Sequence, residues 1–66
     1  APSESPDIHD LLVAGQHFSD AGDYDLAIEK FNQVLQLEPK NKAAVEGKRV
    51  AESRRRFEEQ HDSDQP

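Results

Sequence analysis

The residues whose types suit metal or acid–base chemistry are His9 and His17, with Asp10, Asp20, Asp23 and Asp25. Their spacing is poor for either. On a helix, eight residues separate His9 from His17 by about 12 Å along the axis and about 80° around it. They cannot share one ion as an i, i+4 pair does. Asp20, Asp23 and Asp25 have a faint likeness to a calcium loop. The acidic spacing and the mid-loop glycine are missing, and Val34 and Leu35 stand where a closing Glu is needed. These acids read as caps and solvated turn residues. The chain has no cysteine, hence no thiolate nucleophile, zinc knuckle or disulfide. Gly15, Gly22 and Gly47 are isolated, so no phosphate-cradling loop exists. A Ser/His/Asp set has no pocket to converge on in so small a chain. The expectation is no catalytic residue, no metal, no cofactor and no small-molecule substrate.

The elements that position these residues must come from 66 residues of 7.4 kDa, one small domain that buries about 60% of its chain surface. Hydrophobic and charged residues each make up 33%, and the net charge is −6. Such a chain folds only if its apolar residues are well placed. Its longest apolar run, 11–15, is far short of a membrane span. No signal peptide is visible, which sets the expected compartment as cytoplasmic. Ala1 in place of Met fits a fragment of a longer chain.

Charge is segregated. In residues 1–41 eight acids (Glu4, Asp7, Asp10, Asp20, Asp23, Asp25, Glu29, Glu38) face only Lys30 and Lys40. Residues 42–57 carry Lys42, Lys48, Arg49, Arg54, Arg55 and Arg56 against Glu46 and Glu52, and 58–66 carry acids alone. The acidic front and basic back are expected to attract each other on folding. The alternative is a basic surface kept for a partner. Overall acidity argues against nucleic-acid binding.

Periodicity predicts three helices, near 6–21, 24–37 and 41–58. Ser5 is the expected first N-cap with Pro6 at the first helical position. Ile8, Leu11, Leu12, Gly15 and Phe18 make one face. Gly22 suits a left-handed helix stop, and Asp23 suits the next cap. Tyr24, Ala27, Ile28, Phe31, Val34 and Leu35 form an unbroken stripe that Pro39 terminates through its effect on Glu38. So short a connection makes the first two helices antiparallel. Asn41 should cap a third helix with a thinner apolar face of Ala43, Ala44, Gly47, Val50, Ala51 and Phe57. The expected fold is all-α: an antiparallel helix-turn-helix plus a third solvating helix, a three-helix bundle. Residues 1–5 and the acidic tail 60–66 are expected to be disordered. The expected core is Leu11, Gly15, Phe18, Tyr24, Ala27, Ile28, Phe31 and Val34.

The pattern Leu11-x2-Ala14-Gly15-x2-Phe18, then Gly22-Asp23-Tyr24-Asp25-Leu26-Ala27-Ile28, Ala27-x3-Phe31 and Pro39, resembles one tetratricopeptide repeat (TPR) over residues 8–41. Leu11 stands where that family often has Trp, and Ala14 where it often has Leu. The pattern fails over the following residues: Lys48, Arg49 and Glu52 replace apolar, small and aromatic positions. The resemblance therefore implies a hairpin over 6–41 and a capping helix over 42–59. A microtubule-interacting and trafficking type module is a close architectural cousin, but the punctuation by Gly15, Ala27 and Pro39 favours a TPR. One repeat is small for such an array. The chain is expected either to end a longer array or to gain stability by self-association.

The resemblance also implies a function, non-catalytic protein–protein interaction as an adaptor, scaffold, co-chaperone or assembly factor. It places partner contacts at His9, Leu12, Val13, Gln16 and Ser19 on the first helix, faced by Ala43, Glu46, Val50 and Ser53 on the third. The basic clamp by which some TPR domains hold acidic chaperone tails is absent, since Leu12 and Gln16 occupy its first Lys and Asn places. An apolar peptide or helix is the expected partner. Two alternatives stand beside this reading. Arg54, Arg55 and Arg56 could engage an acidic partner, RNA or an anionic membrane, or the chain could be a structural array cap without a ligand.

Overall fold

The computed structural model describes residues 7–64, with side chains to residue 59. Three helices follow one another: α1 (Ile8–Ala21), α2 (Tyr24–Leu37) and α3 (Lys42–Asp64). They form an all-α three-helix bundle in which α2 packs against both α1 and α3.

The start of α1 differs from expectation. Asp7 is its N-cap, with extended backbone (φ −69°, ψ 131°) and a carboxylate that accepts from the His9 N–H at 3.2 Å. Ser5 and Pro6, and the expected disordered segment 1–5, lie outside the described residues. At the other end Gly22 takes φ 90°. The Gly22 N–H donates to Ser19 O and the Asp23 N–H to Phe18 O, the paired closure that a left-handed residue permits. That tight closure leaves Asp23 at φ −89°, ψ 69° as the α2 N-cap, where its side chain makes no cap hydrogen bond. The cap expected at Asp23 is therefore corrected: its carboxylate caps nothing, and its carbonyl accepts only the first intrahelical bond, from the Ala27 N–H.

Glu38 leaves the helical region before Pro39 (φ −136°, ψ 89°). Asn41 then caps α3, its side-chain oxygen accepting from the Ala44 N–H at 3.0 Å. The third helix runs through Asp64, beyond its expected end near 58, so 60–64 are helical rather than disordered. Residues 65 and 66 lie outside the described residues. No Gly or Pro interrupts α3 after Gly47, so nothing local stops it.

The core consists of Leu11, Ala27, Phe31, Val34, Ala44 and Ala51, with Gly15 and Ser19 also buried. Phe18, Tyr24 and Ile28, expected inside, pack against this cluster only partly covered. Three helices enclose too little volume to cover large side chains at the ends of the bundle. The third helix gives more than expected, because Ala44 and Ala51 are fully buried. At the centre, the Phe31 ring lies against two helices at once. A Cβ on Gly15 would fall 2.8 Å from ring carbons Cε1 and Cζ, and one on Gly47 would overlap the same ring edge.

Gly47→Ala is thus expected to lower the thermal midpoint. Alanine favours a helix interior by about 1 kcal/mol over glycine, but overpacking against Phe31 costs about 1–3 kcal/mol. Phe31→Ala should cost about 3–5 kcal/mol. A Gly47→Ala protein that melts higher than wild type would show that the ring yields freely.

Candidate partner groove between the first and third helices

Gly15 and Gly47 draw α1 and α3 to the same ring, and a groove opens between the two helices on the solvent side. It is lined by Gln16 and Ser19 from α1 and by Ala43, Glu46, Gly47 and Val50 from α3, with a volume of about 340 Å³. Glycine at position 47 forms its floor, and Val50 stands 43% exposed at its wall. On the α1 lip, Gln16 Nε2 donates to Asp20 Oδ1 at 3.1 Å, a bond within the helix.

Of the residues expected to contact a partner, Gln16, Ser19, Ala43, Glu46 and Val50 come together here. Ser19 is only 3% exposed, so it shapes the floor and offers little surface. Leu12 is half-buried against the core and does not line the groove. His9, Val13 and Ser53 are exposed but lie outside it. Gly47 was missed, because its part depends on a ring from another helix.

A second hollow of about 480 Å³ is lined only by the consecutive residues Leu37, Glu38, Pro39, Lys40 and Asn41, and is the bend of the α2–α3 turn. Among the described residues no group of three or more His, Asp or Glu side chains could hold a metal ion. No helix among them is long and apolar enough to cross a membrane.

The arginine run of α3 is partly engaged within the molecule. Arg55 Nη1 meets Asp25 Oδ1 at 2.6 Å, and its Nε lies 3.8 Å from Glu59 Oε2. The Tyr24 hydroxyl donates to Glu58 Oε2 at 3.0 Å. These contacts clasp the far half of α3 to the start of α2. The bond to Glu58 is the main cause that raises the Tyr24 phenol above its ordinary value of 10.0. Partial desolvation and the Glu58 charge add to it, and Arg54 opposes it. Asp25 likewise holds the Arg55 guanidinium more firmly in its charged form.

No family model matches the sequence, and neither a curated protein nor a solved structure matches it.

Tyr24 is the one tyrosine of a chain without tryptophan, so near-ultraviolet absorbance reports its titration alone. The midpoint should lie above 10.0 and fall back toward it in Glu58→Ala. Because the neutral phenol is favoured in the folded chain, the clasp's contribution is present below pH 10.0. It is lost as pH rises through the raised value. Identical titrations in both proteins would mean that the clasp does not form in solution.

Proposed function

We propose that this chain is a non-catalytic protein-interaction module, a single TPR-type hairpin closed by α3, that takes an apolar peptide or helical segment in the α1–α3 groove. The observation that carries the reading is the groove itself, where an exposed Val50 lines one hollow together with Gln16 and Gly47. Further support comes from the repeat-like residues. Gly15 and Ala27 are small at close helix approaches, Phe31 fills the centre, and Pro39 follows the α2 break.

The groove wall carries no Lys or Arg, so an acidic tail finds no clamp there. Affinity arises mainly from apolar burial at about 25 cal/mol per Å², offset by the cost of association. For one short groove this leaves binding near micromolar and only mildly sensitive to salt. The basic-helix alternative is weakened by the engagement of Arg55 with Asp25 and Glu59.

A peptide-display selection against the full chain tests the reading. Selected peptides should share an apolar anchor and shift the amide signals of Gln16, Ala43, Glu46 and Val50. Val50→Glu should weaken them at least tenfold without changing helicity, whereas replacing Arg54 and Arg56 by Ala should matter less. Shifts confined to residues 54–57 that vanish in moderate salt would favour the basic-helix reading instead. A selection that yields no groove binder would leave the structural array cap.

A further inference from the structure

The faces of α1 and α3 turned away from the core carry opposite charge. On α1, Asp10, Val13, His17 and Asp20 recur at steps of three and four, and all four are exposed. That spacing makes one stripe along the helix, and α1 contains no Lys or Arg at all. On α3, Lys42, Val45, Arg49, Glu52 and Arg56 follow the same rhythm and are likewise exposed. Each stripe sets one open valine after its first charge: Val13 is 53% exposed and Val45 is 47% exposed.

The two stripes also match in register. Both α1 and α3 run antiparallel to α2, the first through its short connection and the second through the Tyr24–Glu58 and Asp25–Arg55 contacts. They are therefore parallel to each other. Gly15 and Gly47 stand level at the Phe31 ring, an offset of 32 residues (47 less 15). The same offset takes Asp10 to Lys42, Val13 to Val45 and His17 to Arg49. Two parallel copies set side by side without axial shift thus pair Asp10 with Lys42 and Val13 with Val45, and set His17 beside Arg49, which joins no opposite charges. Only Asp20 meets a like charge, at Glu52, with Arg56 one turn beyond.

We propose that a second copy of this chain docks here, the outward stripe of its α1 lying along the outward stripe of α3 of the first. The contact is head to tail and joins two different faces. Each added copy leaves a further α3 stripe open, so assembly continues beyond a dimer. Lateral stacking of this kind gives a short helical repeat the neighbours that repeat architectures need. The contact lies away from the groove and does not depend on any ligand placed there. It is weak, because one helix edge covers far less than a stable interface and the net charge of −6 opposes association. A dissociation constant of about 0.1–1 mM is expected.

Sedimentation equilibrium of the full chain, from well below to well above that range, is the test. Wild type should show a mass that rises with concentration and does not plateau at a dimer. Asp10→Lys with Asp20→Lys, and separately Lys42→Glu with Arg56→Glu, should each weaken association at least tenfold. These sites are exposed, and circular dichroism verifies that each variant is folded. Mixing the two double variants should restore association, since each then offers the other a complementary stripe. Glu52→Lys should tighten association by removing the one like-charge meeting. Val50→Glu should leave it unchanged. A mass that stays monomeric throughout, an unrescued mixture, weaker association in Glu52→Lys, or loss of association in Val50→Glu would each overturn the proposal. The last would place the second copy in the groove.

Discussion

The Phe31 ring is the constraint on which this small bundle depends. It projects from α2 and meets α1 at Gly15 and α3 at Gly47, where neither position has room for a Cβ. Two glycines inside helices cost about 1 kcal/mol each against alanine. A fully buried aromatic ring offsets this, contributing about 1.5–3 kcal/mol. Ala27, Ala44 and Ala51, all fully buried, continue the same logic: small side chains let three helices close around one large one.

The same geometry ties the core to the groove. Gly47 receives the ring on one side and forms the groove floor on the other. A side chain there would crowd the core, because its Cβ points at the ring. Core packing and the groove lining thus share one backbone position.

The hairpin was legible because its punctuation is local. Gly22-Asp23 and Glu38-Pro39 mark helix ends through backbone preferences that need no tertiary partner, and α2 occupies the expected residues. Asn41 acts as the cap its side chain suggested. Ends without such marks were misjudged: α3 continues through an unbroken charged stretch, and Asp7 rather than Ser5 starts α1. The groove was legible in part, since Gln16, Ser19, Ala43, Glu46 and Val50 share it, while Leu12 turned inward and His9 and Val13 lie elsewhere. Distinguishing those requires knowing how far each helix rotates about the Phe31 contact, which depends on packing rather than on spacing. The expected attraction between an acidic front and a basic back takes a definite form at Asp25–Arg55. An exposed pair of this kind adds little stability, and its effect is to orient α3 along α2.

The arrangement of the helices also bears on how the chain folds. Consecutive helices make the principal contacts, with α2 between its two neighbours in sequence, and α1 touches α3 far less than either touches α2. No element must wait for a distant part of the chain to arrive, so the entropy lost in closing each loop is small. The low mean sequence separation of contacts places such a topology among the fast folders, in the microsecond to millisecond range. A hairpin of α1 and α2 can form first and present half of the Phe31 seat, and the docking of α3 on the ring through Gly47 then completes it.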